Sequence, residues 1–329
     1  MAAKKHHYVP AFYQRGFADS GHLIWRYDRL RREYKQLPPK VNCREEDLYA
    51  VRAADGTWDR AIETEVLSPI DGAAAKVLQA LKPGTVLTHK QVRELVMFIA
   101  LQHTRLPSFG KVVRQIAEAT MNEWIRMRFG TLERAESAMG QYEHETGSRQ
   151  IDASSMMDAV VNRRVKAVAN ERVFVEHMFK IANQLGLRLE HSRWSILVAP
   201  DSGAFIVCDD PFVPIPPQGA KLSGMGFGIP GTVCYFPLTK KLCLKTIHGD
   251  YGIVYQNIDS RAVRTINHNI AAHSHRFVMA ESRLHLEAVV VRSGSEEMEP
   301  RDRYSLEIIR PDADNTFSVF TNAPGRYFY

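Results

Sequence analysis

The spacing of apolar residues changes near Gly186, and this change constrains the fold more than any other feature of the sequence. Before it, apolar residues recur at every third or fourth position over long stretches, as on the buried face of a helix. After it, short segments rich in β-branched and aromatic residues are separated by Gly, Pro and Asp, which is typical of strands joined by turns. The pattern therefore predicts an α+β fold, with a mainly helical N-terminal half and a predominantly antiparallel sheet in the C-terminal half.

The helical half opens with a short β-hairpin, predicted over residues 22–37. Helices are predicted over residues 57–81, 88–106, 111–129 and 160–185. Thr88 precedes the second helix, and Pro107 is expected to end or kink it, because the residue before a proline is driven out of the helical region. Residues 140–155 are polar and rich in Glu, Ser and Gly, which predicts a flexible connection.

The C-terminal half is predicted to contain several short strands and one helix. Strands are predicted over residues 194–198, 204–208, 233–237, 242–246 and 276–280. The helix is predicted over residues 261–273, and residues 286–292 are expected to add a last strand. The chain thus divides into residues 1–185 and 186–329, which form either two regions or one continuous domain.

Composition excludes several classes of protein. With 329 residues, 45% hydrophobic and 24% charged, the chain is typical of a globular protein. The longest apolar run, residues 95–101, is far shorter than the roughly 20 residues that cross a bilayer. No apolar stretch follows the charged N-terminus, so we expect no secretory signal, no membrane partner and a cytoplasmic location. The four cysteines are widely spaced and are expected to be reduced.

The charge of the chain fits a partner that carries phosphate. The formal net charge is +6 and the pI is about 9.1. Basic residues concentrate in two groups, around residues 26–35 and 126–166. A basic excess of this size attracts nucleic acid or another phosphate-bearing ligand, but charge groups of this kind also occur as solvated faces with no partner.

Four segments of the chain resemble one known family. Residues 5–17, which contain His6, His7, Tyr8 and Pro10, resemble the opening signature of domain-of-unknown-function family forty-two thirty-eight, a mainly bacterial family. Residues 102–107, 205–211 and 236–239 are also similar to the family pattern. The family has Ser-Asp-Asn-Pro where this chain has Cys208-Asp209-Asp210-Pro211, and the family name implies no activity.

Two adjacent histidines are candidates for acid–base catalysis. In an extended segment the side chains of His6 and His7 point to opposite faces, so one of them is expected to face a given pocket. A histidine has a reference pKa near 6.5, so it can donate or accept a proton at neutral pH. The alternative is a structural role, in which the pair packs near the terminus of the core.

Arginine side chains are candidates for binding an anionic substrate. Arg15 and Arg105 each carry a planar guanidinium group that matches phosphate or carboxylate. Gln102 lies three residues before Arg105 on the same predicted helix, so both can face one cleft. With Tyr8 of the opening motif they form the predicted substrate-binding set. An ordinary salt bridge is the alternative for either arginine.

Two carboxylates follow a predicted apolar strand and precede Pro211. Asp209 and Asp210 can bind a divalent metal or orient a histidine, and Asp209 is the third predicted catalytic residue. The alternative is that Asp209 closes an Asx-turn ahead of the proline. His268, His273 and His275 lie near a helix end with no acidic motif beside them, so they are not predicted to bind metal.

Together these residues favour a phosphodiester-cleaving enzyme, a nuclease, that acts on nucleic acid. In this hypothesis His6 or His7 is the acid or base, the arginines hold phosphate, and Asp209 orients a histidine or a metal. A bacterial family suggests a role in host defence. The alternatives are a non-catalytic module that binds an anionic ligand or nucleic acid, and a scaffold in which the opening motif ties the hairpin to the helices.

Overall fold

The computed structural model describes residues 5–53, 55–148, 151–218 and 229–294, together with two strands at 305–309 and 318–322. The helices are α1 (Ala11–Arg15), α2 (Ser68–Ala80), α3 (His89–Thr104), α4 (Pro107–Phe129), α5 (Leu132–Thr146), α6 (Ala153–Val161), α7 (Glu171–Glu190), α8 (Ser260–His273) and α9 (Arg283–Arg292). A 3₁₀-helix covers Pro39–Val41, and a π-helix, Ile62–Leu67, leads directly into α2.

Most strands are short. In the N-terminal half they are β1 (Lys5–His7), β2 (Ile24–Asp28), β3 (Glu33–Leu37), β4 (Arg44–Glu46), β5 (Val51–Arg52) and β6 (Trp58–Asp59). They continue with β7 (Ser192–Val198), β8 (Val207–Cys208), β9 (Val213–Ile215), β10 (Val233–Pro237), β11 (Leu242–His248), β12 (Gly252–Asn257), β13 (Phe277–Ala280), β14 (Ser305–Ile309) and β15 (Ser318–Asn322). The α+β prediction is confirmed, with the hairpin first, helices concentrated in the N-terminal half and antiparallel pairing dominant after α7.

Capping residues set where the helices begin. The Thr88 side chain accepts from the backbone N–H of Gln91, and the Gln91 side chain accepts from that of Thr88, so a complete capping box starts α3. Pro107 stands at the first turn of α4, where its missing N–H costs no hydrogen bond. It therefore separates two helices, as predicted.

Three predictions of secondary structure are wrong. Residues 286–292 belong to a helix, because Leu286, Val289 and Val290 recur at helical spacing and are buried, while Ser282 caps the N-terminus. The predicted helix at 160–185 is two helices, with Asn170 capping the second. The predicted flexible connection at 140–155 is largely occupied by the end of α5 and the start of α6.

Two sheets carry most of the strand pairing. One has the order β12-β7-β11-β10-β9 and is antiparallel except between β12 and β7. The other has the order β3-β2-β13-β8, so the N-terminal hairpin pairs with C-terminal strands. One hydrophobic core packs α3 and α7 against both sheets, and it contains Tyr13, Phe98, Phe174, Trp194 and Phe236. In the described ranges no helix is long and apolar enough to span a bilayer.

The second sheet positions the candidate site. β8 and β13 are antiparallel, with Cys208 opposite Val278. The residues that follow β8 therefore lie beside the residues that precede β13. The Asp209 backbone N–H donates to the Phe277 carbonyl at 3.0 Å and continues this pairing. Asp209 and Asp210 are thereby placed next to the segment between α8 and β13.

Candidate functional site

Three histidines approach the carboxylate of Asp210. The Nε2 atom of His273 lies 3.1 Å from Oδ2, and the Nε2 atom of His275 lies 3.9 Å from the same oxygen. The Nδ1 atom of His103 lies 3.6 Å from Oδ1. These four residues, Asp210, His103, His273 and His275, are called the Asp210 cluster below. Its members come from three places in the fold: the end of α3, the end of β8, and the segment from the end of α8 to β13.

The Asp210 carboxylate is buried and ionised. Its side chain is 1% exposed. Burial alone raises the pKa of this carboxyl, but the charges and hydrogen bonds of His273 and His103 outweigh burial and hold the pKa well below its usual value. The side chains of His273 and His275 are each 16% exposed, whereas that of His103 is 6% exposed. The cluster therefore has a buried anionic base and two imidazoles that reach solvent.

His103 lies at the innermost side of the cluster. Its ring centroid is 5.3 Å from that of Phe212 and 6.3 Å from that of Phe109. The ring is thus packed between apolar side chains at the end of α3, which restricts its rotation.

Asp209 binds backbone groups. Its Oδ1 accepts from the N–H of His275 at 2.9 Å, and its Oδ2 accepts from the N–H of Arg276 at 2.7 Å. Both oxygens thus hold the turn that carries His275. The sequence hypothesis had Asp209 orienting a histidine, and in the structure the contact is made to the histidine backbone.

Tyr8 lies on the Asp209 side of the site. The pKa of its hydroxyl is raised well above its usual value, first by burial and then by the nearby Cys43 thiol and Asp209 carboxylate. The Gln102 side chain is fully buried and donates to the Tyr8 carbonyl at 3.2 Å. Gln102 therefore fixes the N-terminal strand against the end of α3, directly beside His103.

The two N-terminal histidines contact other residues. His6 is 1% exposed, its ring stacks on Tyr49 at 5.7 Å between centroids, and its Nδ1 accepts from the Tyr49 N–H at 3.5 Å. His7 is half-buried on the opposite face of β1, with its Nε2 3.1 Å from the Lys40 carbonyl oxygen. Burial lowers the pKa of His7, the Lys40 contact opposes this, and nearby Arg44 and Arg105 lower it further.

The predicted arginines are also apart from the cluster. The side chain of Arg105 is 1% exposed, and its Nη1 contacts both oxygens of Asp71, at 3.0 and 3.1 Å. Its carbonyl accepts from the Tyr49 hydroxyl at 3.0 Å. Arg15 is exposed on α1, and its side chain contacts no polar group in the described part of the chain. Arg105 is thus part of a buried ion pair, the alternative that the sequence left open.

Metal binding at Asp209 or Asp210 stays a prediction. Within the described ranges, no group of three or more His, Cys, Asp or Glu residues is arranged to hold a metal ion. Both Asp209 oxygens already accept backbone hydrogen bonds, and Asp210 faces imidazole nitrogens at 3.1 to 3.9 Å. These contacts place imidazole groups beside a buried carboxylate.

The family model described as "Protein of unknown function (DUF4238)" matches residues 5–283. The chain belongs to the DUF4238 family. No curated protein and no solved structure matches it. All four residues of the Asp210 cluster lie within the stretch matched by the DUF4238 model.

Sequence reasoning missed the three histidines of the cluster in this DUF4238 chain. His103 stands inside a segment that resembles the family, between Gln102 and Arg105, which were both singled out. His273 and His275 were considered and set aside because no acidic residue is near them in sequence. The sequence feature that points to this cluster is Asp210. A carboxylate at the end of an apolar strand lies beside the residues that precede the neighbouring antiparallel strand.

Proposed function

We propose that the protein is a phosphodiester-cleaving hydrolase acting on nucleic acid, and that the Asp210 cluster performs its acid–base chemistry. One observation carries this proposal: imidazoles from separate parts of the fold meet a single buried, ionised carboxylate. A carboxylate beside a histidine orients the ring and stabilises its protonated form, which makes the histidine a better base. Strongly perturbed carboxylates of this kind are concentrated at functional sites.

The two more exposed histidines are assigned the proton transfers. His273 directs Nε2 at Asp210, so a proton on that nitrogen leaves Nδ1 as the basic atom of the neutral ring. His273 is therefore the base that takes a proton from the attacking water. His275, held through its backbone by Asp209, is the acid that protonates the leaving oxygen. This assignment replaces His6 and His7 in the catalytic role.

The charge of the site is consistent with one histidine acting as the base and another as the acid. The Asp210 carboxylate can offset the charge of one imidazolium, and the proposed chemistry uses one protonated and one neutral histidine. Base and acid catalysis of phosphodiester cleavage requires this combination, because one proton is removed while another is delivered. The basic balance of the chain, +6, supports a polyanionic substrate.

Cleavage assays with single substitutions test the proposal. The intact protein is incubated with RNA, single-stranded DNA, duplex DNA and bis(p-nitrophenyl) phosphate, and products are quantified over time. We expect His273→Gln and His275→Gln to lower turnover by about 10²- to 10⁴-fold, the usual contribution of a positioned acid or base. His268→Gln is the matched control, because it changes a half-buried histidine on the same helix as His273.

Two outcomes would contradict the proposal. Cleavage that persists unchanged in both His273→Gln and His275→Gln would remove the cluster from the chemistry. Binding of nucleic acid by the intact protein without cleavage of any of the four substrates would favour the non-catalytic binding module instead.

A further inference from the structure

Two arginines lie over one aromatic ring at the edge of the Asp210 cluster. The guanidinium carbon of Arg26 is 4.5 Å from the centroid of the Phe277 ring, and that of Arg276 is 4.6 Å from the same centroid. The pairing of β2 with β13 produces this arrangement, because Phe277 is opposite Asp28 and Arg26 is opposite Met279. Residues 26 and 28 share one face of β2, so both approach the Phe277 ring from that face.

Each arginine is anchored while part of its guanidinium group stays available. Arg276 uses Nε and Nη2 to bind Asp28, at 2.8 to 3.2 Å, and its side chain is 38% exposed. Arg26 is half-buried and uses Nη1 to bind the Asn42 side chain at 3.1 Å. Its buried Nε has no hydrogen-bond partner in the described part of the chain. A buried donor without an acceptor costs free energy, so Arg26 is not fully satisfied by its present contacts.

A third arginine adds positive charge to the same region. Arg29 is buried, and its Nη1 donates to the carbonyl and to the hydroxyl oxygen of Ser274, at 2.7 and 3.0 Å. Arg29 thus adds a third guanidinium group close to the segment that carries Arg276, because it binds Ser274. Guanidinium groups are suited to binding an oxygen anion.

The two ring-stacked arginines are adjacent to the proposed acid. Arg276 directly follows His275, and Asp209 accepts from the backbone N–H of both residues. Ser274, which Arg29 holds, lies between His273 and His275. The segment that carries the proposed acid therefore also carries one of the two arginines.

We propose that Arg26 and Arg276, which both lie over the Phe277 ring, form the subsite that binds a phosphate of the nucleic-acid backbone. This proposal rests on the proposed function and extends it by assigning the phosphate contacts to residues other than Arg15 and Arg105. The contact is made to phosphate, so the subsite binds RNA and DNA backbones alike.

Equilibrium binding tests the subsite independently of turnover. Fluorescein-labelled single-stranded RNA and DNA oligonucleotides of the same sequence are titrated with the full chain at several salt concentrations. Anisotropy is recorded at low temperature, before any cleavage product is detectable. For Arg26→Gln we expect the Kd to rise about 10-fold for both oligonucleotides, and the slope of log K against log salt to fall by about 0.7. The loss of slope identifies a lost phosphate contact.

Two further variants keep the test decisive. Arg276→Lys retains the charge but not the bidentate group, so the Kd should rise while the salt slope stays unchanged. Arg31→Gln is the matched control, since Arg31 is a 65% exposed arginine in the same hairpin with Glu33 3.7 Å away. It should change the Kd by less than about twofold. Circular dichroism and urea denaturation of each variant verify that it is folded.

The outcomes separate the subsite from the catalytic proposal. If Arg26→Gln weakens binding as expected while the intact protein cleaves nothing, the subsite stands and the hydrolase proposal fails. If the intact protein cleaves nucleic acid but Arg26→Gln binds both oligonucleotides with unchanged Kd and salt slope, the subsite is refuted. Absence of binding by the intact protein at low salt also overturns it.

Discussion

Replacing Asp210 with Asn keeps the size of the side chain and removes the charge on which the cluster is built. Two imidazole nitrogens lie within 3.6 Å of the carboxylate. A hydrogen bond to a charged group contributes about 1.5–3 kcal/mol, against about 1 kcal/mol for a neutral one. Losing the charge weakens the contact with His273 at 3.1 Å and the longer electrostatic contact with His103, so it should lower the free energy of unfolding by about 2 kcal/mol at neutral pH. Urea denaturation followed by circular dichroism measures this difference.

The pH dependence of that difference gives the reasoning a second, stricter test. The pKa of Asp210 is lower in the folded protein than in the unfolded chain. The contribution of this carboxylate to the free energy of unfolding is therefore complete above the unfolded pKa of about 3.9, and it is lost as the pH falls through the pKa in the folded protein. The gap between the intact protein and Asp210→Asn should thus shrink as the pH drops below about 4. Asp201→Asn, at an exposed turn, is the control and should show little effect at any pH. Equal stabilities at neutral pH, or a gap that does not shrink in acid, would refute the reasoning.

Three further predictions concern other contacts. Arg105→Met should lower the free energy of unfolding by about 3 kcal/mol in urea denaturation, because it leaves the partly buried Asp71 carboxylate without its guanidinium partner. Thr88→Ala should cost about 1 kcal/mol in the same measurement, because it removes the capping box of α3, whereas Thr88→Ser should restore most of it. The four cysteines are buried and carry no disulfide bond, and burial raises the pKa of the Cys234 thiol to about 12. A thiol reagent should therefore label none of them in the native protein and all four in urea.

The sequence was sufficient for the fold class because periodicity and caps are local. Thr88 caps the start of α3, and Pro107 marks the boundary between α3 and α4. Both signals depend only on single residues and their near neighbours in sequence. The error at residues 286–292 has a physical cause: a run of valines fits a strand by propensity, but their spacing with Leu286 lets one helical face pack into the core. Tertiary packing overrode propensity there.

The candidate site was only partly predictable because it depends on contacts between distant segments. Asp210 could be singled out from sequence as a carboxylate at the end of a strand. Its partners His103 and His273 stand far away in the chain, on different helices, and no local pattern connects them. Arg105 shows the converse case, since a guanidinium group at a helix end suggests phosphate binding, yet in the fold its Nη1 contacts Asp71. Chemical type is visible in a sequence, whereas the partner of a charged side chain is not.

The adjacent pair Asp209 and Asp210 illustrates how strand geometry assigns different roles to similar residues. Consecutive side chains at the end of a strand point in opposite directions, so two neighbouring carboxylates do not converge on one ligand. The Asp209 side chain accepts a hydrogen bond from the His275 backbone N–H, just before β13, and so holds the segment that carries His275. The Asp210 side chain points to the imidazoles instead. The backbone contact fixes where His275 lies, and the side-chain contact stabilises charge on the histidines. The proposed acid–base chemistry requires both, because an imidazole transfers a proton efficiently only when its position and its charge are set together.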